Sequence, residues 1–400
     1  MSKLALEGGP KTRKSPMPLR RSFGKAERDL LDEAVNYYQD SGLDPGYGGV
    51  FERRYSDLFV RSMGGSGFSL PVATGTGALY VAIAALELPR GSDVLVSPIS
   101  DPGTYSAIIL NGLRPKIVDS DDEIYNISPD SIETRWSSSV SAILVVHSIG
   151  QAADIEKICK FASKKGVPVI EDCSQAHGAS VKGWPVGNYG AVSAFSTMYR
   201  KAHMTGGSGG VVFTKDKKIF EKVLAHADRG KPKLSAGFND RDPNQFLFPA
   251  LNWNTDELSC AVGIASLSRL QGTIRRRLSF LASLQALFDE SENEIFKLYS
   301  WTPKDSPFVL PVFVRGSGLL DRKKFLADAV RAEGIDLNPN YEYLAADWPW
   351  IRDYLSDEFD PVLARLARDS SFALYLNESY GYVEAQDIVS ALSKVARALA

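Results

Sequence analysis

The octapeptide Ala194-Phe195-Ser196-Thr197-Met198-Tyr199-Arg200-Lys201, followed by Thr205-Gly206-Gly207-Ser208-Gly209-Gly210, decides how this chain is read. Its β-branched and aromatic first half predicts a buried strand, and the glycine run is too rich in glycine to continue a helix. One lysine therefore stands where a buried strand gives way to a loop. An amine that attacks an aldehyde must be largely unprotonated, and burial or a neighbouring cation such as Arg200 favours the neutral form. On this window alone, Lys201 is equally a surface lysine at a strand end.

Outward from it, short β-rich runs at 69–73, 93–98, 115–118, 140–146, 167–171, 189–195 and 209–214 alternate with helical patterns near 77–88, 103–111, 129–135 and 154–164. Strands separated by helices need crossover connections, so the fold class expected is α/β, a mostly parallel seven-stranded sheet with helices on both faces. The last two runs lack an intervening helix, and one of them is expected to run antiparallel. Helices are also predicted over 25–40, 51–63, 255–290, 321–333 and from about 385, with a strand at 308–315. Asn254 is placed as a cap of the long helix, with Glu257 three residues on. The division expected is a large domain over 1–260 and a smaller α+β domain over 261–400, with the N-terminal segment available to pack on the latter.

Four hundred residues exceed what one core usually serves. A formal net charge of −2 gives no electrostatic reason to expect nucleic acid or anionic lipid as a partner. Cys159, Cys173 and Cys260 are too few and too scattered for a disulfide framework or a zinc site, which favours a reducing setting. The first ten residues have no apolar core long enough for a signal peptide, and the longest apolar run, Ala142 to His147, is far short of a membrane span. The expectation is a cytoplasmic protein with no membrane and no metal.

In a doubly wound sheet, ligands bind beyond the carboxyl ends of the strands. Three clusters fall there. Thr74-Gly75-Thr76-Gly77-Ala78-Leu79 turns a strand into a helix whose free N–H groups favour a phosphate, with a hydroxyl from Thr76. In Val169-Ile170-Glu171-Asp172-Cys173-Ser174-Gln175-Ala176-His177-Gly178, Asp172 follows a strand too apolar to be exposed and needs a cation. A protonated pyridine nitrogen would serve, and Gln175 is placed to donate to a ring oxygen. The third cluster is the opening stretch, with Lys201 for an aldehyde and Ser196 for phosphate. Together they describe a pyridoxal phosphate site. Gly75-x-Gly77 could also begin a dinucleotide fingerprint, but Tyr80 stands where the third glycine should be and no acid caps the next strand. Gly206 to Gly210 matches G-x-S-x-G, a motif that needs a helix after the serine where a strand is predicted here.

On these residues the chain resembles the DegT-type sugar aminotransferases, a family of fold-type I pyridoxal phosphate enzymes. The likeness runs from Leu4 to Pro10, through Gly75 to Leu79, Val146 to Asp154, the E-D-x-x-Q-A-H-G segment from Glu171, Phe195 to Lys201 and Gly207 to Gly210. It ends with Asn252-Trp253-Asn254 and Tyr375-Leu376-Asn377. The resemblance implies that Lys201 bonds pyridoxal 5'-phosphate and moves the substrate's α-proton. It implies that Asp172 pairs with the ring nitrogen and Gln175 with the ring hydroxyl side. Gly75, Thr76 and Ser196 would hold the phosphate, joined by Asn252 from the partner subunit of a homodimer with active sites at the interface.

The implied reaction moves an amino group from glutamate or glutamine to a keto-sugar, most often nucleotide-linked, in amino-sugar biosynthesis. Alternatives are a cyclitol aminotransferase, a pyridoxal phosphate sugar dehydratase and a cofactor-binding regulator. The dehydrating branch carries histidine in place of Lys201. The sequence departs from the pattern at Asp101, where the family stacks an aromatic residue on the cofactor ring, at Asn254, where it has arginine, and at Ser208, where it has an acid before Gly209-Gly210. Arg200 is a candidate to replace that charge. His177 and His147 are read as structural hydrogen-bonders, His203 as either structural or in contact with substrate, Arg275 to Arg277 as a solvated helix face, and Tyr341 and Tyr343 as residues able to close over a substrate.

Overall fold

The computed structural model of the chain describes residues 3–121, 125–291, 293–316 and 318–398. Its larger sheet contains β1 (Phe68–Val72), β2 (Asp93–Val96), β3 (Arg114–Ile117), β4 (Val140–Val146) and β5 (Val169–Asp172). A two-stranded hairpin follows, β6 (Ser180–Val181) with β7 (Trp184–Pro185), before β8 (Val192–Ser196) and β9 (Gly210–Thr214) rejoin the sheet. The strand order is β1-β9-β8-β5-β4-β2-β3. Strands β8, β5, β4, β2 and β3 pair in parallel, and β9 is antiparallel to both β8 and β1. The reversal falls at the helix-free glycine connection, because two strands joined without a crossover lie side by side only when antiparallel.

Helices cover both faces. The large-sheet helices are α1 (Lys25–Ser41), α2 (Val50–Ser62), α3 (Gly75–Ala84), α4 (Pro102–Leu110), α5 (Pro129–Arg135), α6 (Ile155–Lys165) and α7 (Lys217–Ala227). Period-2 alternation in β4 divides the core: Ala142, Leu144 and Val146 meet α3, α4 and α7, while Ile143 and Val145 meet α5 and α6. A sheet buried on both sides reads as continuous apolar runs, which is why the strands are visible in the sequence. Among the described residues, no helix is long and apolar enough to cross a membrane.

The 33-residue α8 (Glu257–Asp289) packs its first half against α1 and α2 and its second half, through Phe280, Leu281 and Leu284, against a second core. That core surrounds a four-stranded antiparallel sheet ordered β10 (Phe296–Leu298), β11 (Val309–Val314), β13 (Ser371–Tyr375) and β12 (Leu337–Asn338). It is flanked by α9 (Lys323–Ala332), α10 (Val362–Asp369) and α11 (Tyr382–Arg397). The N-terminal segment bonds here: Glu333 accepts the N–H groups of Ala5 and Thr12, and Arg13 pairs with Asp387 at 2.6 Å.

Two expectations are corrected. The cap of α8 is Asp256, whose side chain accepts the Ser259 N–H at 2.8 Å, not Asn254. Glu257 turns inward instead, taking the N–H groups of Phe51 and Glu52. Arg277 is not on a solvated face. It is 1% exposed, its Nη1 donating to the Pro307 carbonyl at 2.9 Å and its Nη2 to Glu378 at 3.3 Å.

The two sheets meet where residues 149–150 pair with 306–308: Ser306 N–H donates to Gly150 O at 2.9 Å and Phe308 N–H to Ile149 O at 2.8 Å. Gly150 has φ +105°, and a Cβ there would lie 1.9 Å from the Ser306 carbonyl oxygen. Gly150→Ala should therefore destabilise the protein by at least about 2 kcal/mol, seen as a lowered denaturant midpoint. An unchanged unfolding curve would contradict this junction.

Candidate active site

Parallel alternation brings the carboxyl ends of β1, β2, β4, β5 and β8 to one edge, and the expected clusters follow those ends. At the first, Thr74 caps α3 by accepting the Gly77 N–H at 2.8 Å, leaving the N–H groups of Gly75 and Thr76 without an intrahelical acceptor. Gly75 lies against the end of β8, where a Cβ would fall 2.5 Å from the Ser196 Cβ and 2.8 Å from its Oγ. The structure thus joins Gly75 and Ser196 although 121 positions separate them in sequence. A Cβ on Gly103 would likewise meet Thr76 Oγ1 at 2.3 Å and Asp101 Oδ1 at 3.0 Å, so Thr76 and Asp101 share one neighbourhood.

Asp172 ends β5 and is 4% exposed. Its Oδ2 accepts the Thr104 hydroxyl at 3.0 Å and its Oδ1 the Ser174 N–H at 3.0 Å, and the Ser100 hydroxyl donates to Thr104 at 2.8 Å. No ion pair includes it among the described residues. The adjacent Glu171 points to the other face. It accepts the N–H groups of Gly187, Tyr189 and Gly190 at 2.6 to 2.8 Å and lies 3.0 Å from His147 Nε2. Burial raises its pKa, but His147 and those N–H groups outweigh burial and hold it below the usual carboxylate range. His147 Nδ1 takes the Ala153 N–H, so Nε2 carries the proton and the residue is a satisfied core histidine. His147, Glu171 and Cys173 lie within metal-ligating distance of one another, but Glu171 and His147 are already saturated by protein donors.

Lys201 follows β8 at the end of a turn closed by its N–H to the Met198 carbonyl at 2.9 Å. It is 8% exposed, and its Nζ lies 4.6 Å from the centre of the Phe308 ring. Burial lowers its pKa below the ordinary lysine value, opposed by the negative charges of Asp172 and Asp101. Beneath it, His177 donates from Nε2 to the Ser196 carbonyl at 2.7 Å, and Ser196 N–H donates to Ser174 Oγ at 3.0 Å. His203 is fully buried and bonds the Tyr55 hydroxyl, a structural position.

Gln175 accepts the Ile149 N–H at 2.7 Å and bonds Tyr341, whose ring stacks on Tyr125 at 5.8 Å. Asp101 is exposed and caps α4, accepting the Gly103 N–H at 2.8 Å. Arg200 lies over the Tyr375 ring at 5.4 Å. Asn252 precedes Trp253, whose carbonyl accepts the Ala73 N–H at 2.8 Å just past the end of β1. Asn252 itself is exposed, 3.4 Å from the Tyr47 hydroxyl and holding Asn254 through its Oδ1. Sequence reading missed Thr104, Ser174 and Phe308. Thr104 carried a signal, since it stands in the first turn of a helix that starts at the sheet's ligand edge.

A glycine-floored helix start that leaves N–H groups free, a buried carboxylate met only by neutral donors and a buried lysine form a donor set that fits a phosphate, a cationic ring nitrogen and an aldehyde on one group.

Comparison with known proteins agrees with this fold. The family model described as the DegT/DnrJ/EryC1/StrS aminotransferase family matches residues 46–392. The dTDP-3-amino-3,6-dideoxy-alpha-D-galactopyranose transaminase of Aneurinibacillus thermoaerophilus is 34% identical over 63% of this chain and 66% of its own. A putative L-glutamine:3-amino-2,3-dideoxy-scyllo-inosose aminotransferase of Micromonospora echinospora is 25% identical over 99% of this chain and 96% of its own. Among the first relatives, the matched stretch spans 38% to 66% of the relative's length. Helicobacter pylori PseC, an aminotransferase involved in the biosynthesis of pseudoaminic acid, superposes with TM-score 0.86 at 18% identity over 96% of this chain and 100% of its own. The architecture is that of fold-type I.

His177 supplies a test of the site's floor. Burial pushes its pKa from 6.5 down to about 4, the Ser196 carbonyl opposing and Lys201 reinforcing the shift. The unfolded chain binds this proton more tightly, so the stabilisation is present above about pH 6.5 and is lost as pH falls toward 4. The stability advantage of the wild type over His177→Gln should shrink by about 2–3 kcal/mol between pH 7 and pH 4.5. Urea unfolding at the two pH values measures it, and a constant difference would show that His177 is not held neutral.

Proposed function

Because the chain belongs to the DegT/DnrJ/EryC1/StrS aminotransferase family, we propose that it is a pyridoxal 5'-phosphate-dependent aminotransferase acting on a keto-sugar, with glutamate or glutamine as amino donor. The observation that carries this reading is a buried Lys201 and a buried Asp172, which no ion pair includes among the described residues, at one edge of the sheet beside the open start of α3. Relatives whose names carry a GDP- or dTDP-linked sugar, at 31% and 34% identity, support a nucleotide-linked acceptor in amino-sugar biosynthesis. A cyclitol ketone is the second reading, favoured by the relative whose match spans 99% of this chain.

When bound, pyridoxal phosphate supplies an electron sink that stabilises negative charge at the carbon losing its proton. The chain's residues set up that chemistry. Gly75 and Thr76 offer N–H groups at a helix start, and Ser196 a hydroxyl, to hold the phosphate. Asp172, oriented by Thr104 and Ser174, would keep the ring nitrogen protonated. Lys201 Nζ would anchor the aldehyde end and move the proton at the substrate's α-carbon, the lowering of its pKa by burial favouring the neutral amine. Gln175 and Asp101 would contact the bound group from either side of this edge, and Phe308, its ring centre 4.6 Å from Nζ, helps exclude water from it.

The large domain over 1–260 holds these groups and the domain over 261–400 supplies the cover. The working form is a cytoplasmic homodimer in which Asn252 of each subunit reaches its partner's phosphate site. Exposure of Asn252, with Tyr47, Leu247 and Leu251 also exposed on these segments, supports that arrangement.

Reconstituted protein should be yellow, bleach with glutamate or glutamine, and after borohydride carry the cofactor on Lys201. Lys201→Ala should abolish both half-reactions. Asp172→Asn should lower kcat by roughly 10²- to 10⁴-fold, the equivalent of about 3–5 kcal/mol for a broken buried charge pair. Protein that stays colourless on reconstitution would overturn the reading, and a yellow protein that no amino donor bleaches would make it a binder rather than an enzyme.

A further inference from the structure

The segment that precedes α1 reaches back to the lysine turn. Arg20 Nη1 donates to the Tyr199 carbonyl at 2.8 Å, and Nη2 donates to the Lys201 carbonyl at 2.7 Å. Its Nε donates to Glu378 Oε1 at 3.2 Å. The other oxygen of Glu378 takes Arg277 Nη2 at 3.3 Å, and Arg277 Nη1 reaches the Pro307 carbonyl at 2.9 Å. The next residue is Phe308, whose ring faces Lys201 Nζ at 4.6 Å. The contacts close on themselves: they leave from the backbone of Lys201 and return to its side-chain nitrogen.

We propose that Arg20 is a positioning residue for Lys201, and that Glu378 and Arg277 extend its hold to Phe308 above the amine. The inference rests on the role proposed for Lys201. A planar guanidinium with its donors in a fixed fork holds two carbonyls of one turn in fixed relation, which a lysine ammonium cannot reproduce. The side chains of Glu378 and Arg277 are 9% and 2% exposed, so their pairing is little screened by solvent. Asn377 fixes the approach of the segment, donating to the Pro18 carbonyl at 2.9 Å. An amine that must reach first an aldehyde carbon and then a substrate proton has little tolerance for a drifting backbone, since a displacement of about 1 Å costs on the order of 10²-fold in rate.

The test compares holoenzymes of the wild type, Arg20→Ala, Arg20→Lys and Glu378→Gln in steady-state kinetics and in a pH titration of the cofactor's visible absorbance. Arg20→Ala should lower kcat by about 10- to 100-fold with KM for the donor within about threefold, and should move the absorbance midpoint by more than about half a pH unit. Arg20→Lys should restore only part of both, and Glu378→Gln should move both in the same direction by less. If Arg20→Ala does not fold, the other two variants carry the comparison. Wild-type kcat and midpoint in the variants that fold would overturn the proposal, as would activity lost only in proportion to lost cofactor. Borohydride labelling of the wild type separates the two readings: a label away from Lys201 sinks both, whereas a label on Lys201 with an unmoved midpoint in the Arg20 variants sinks this one alone.

Discussion

The structure depends on how one strand carries two consecutive acids. Glu171 and Asp172 are both buried at the end of β5, and alternation sends them to opposite faces. Glu171 is saturated by three N–H groups and His147, and is a structural carboxylate that ties the 187–190 connection to the sheet. Asp172 receives one hydroxyl and one N–H, both neutral. Burying an anion costs several kcal/mol unless a full set of hydrogen bonds or a cation answers it. The fold accepts that cost at one site only a few ångströms along the strand from where it avoids it, and this asymmetry separates a ligand-facing carboxylate from a structural one.

Lys201 bears the complementary cost. A buried ammonium loses hydration, and Asp172 and Asp101 return only part of it through their fields. Its carbonyl, with that of Tyr199, is held by Arg20, and Phe308 faces its nitrogen from a connection that Arg277 holds. The two sheets therefore meet at the amine itself: the larger supplies the turn, and the smaller supplies the ring above it. A ligand that binds both charges would stabilise the folded chain by relieving two desolvation costs at once.

Much of this was legible from the sequence because it is local. Seven strands announced themselves as apolar runs, and the glycine connection before residue 210 marked where the direction reverses. The start of α3 was readable from Thr74 to Gly77, and Asp172 from the apolar strand before it. What the sequence hid was non-local. Nothing near Arg20 indicates carbonyls 180 residues away, and nothing near Phe308 indicates an ammonium. Arg277 was misread for a helical reason: successive residues are turned by about 100° around the axis, so neighbours of Arg275 and Arg276 do not share their face. The cap of α8 was misplaced by two residues because Asn254, Thr255 and Asp256 are all competent caps, and only the path of the chain selects Asp256.

Two of the departures from the resembled pattern, Asp101 and Asn254, have local electrostatic answers. Asp101 brings a negative charge into the neighbourhood of Thr76, where a phosphate would be repelled, yet the carboxylate accepts the Gly103 N–H at the start of α4. A helix start offers about half a positive charge, so much of the repulsion is absorbed by the helix it caps. At Asn254 the arginine's charge is missing, but Lys233 Nζ lies 3.4 Å from Asn254 Oδ1 while paired with Asp228 at 3.0 Å. Arg229 binds the other oxygen of Asp228 at 2.7 Å and Lys231, itself paired with Asp240 at 2.7 Å, lies 3.7 Å from the first, so three cations gather around one buried acid next to Asn252. The positive charge that the arginine would bring is thus supplied to the surroundings of Asn254 by Lys233.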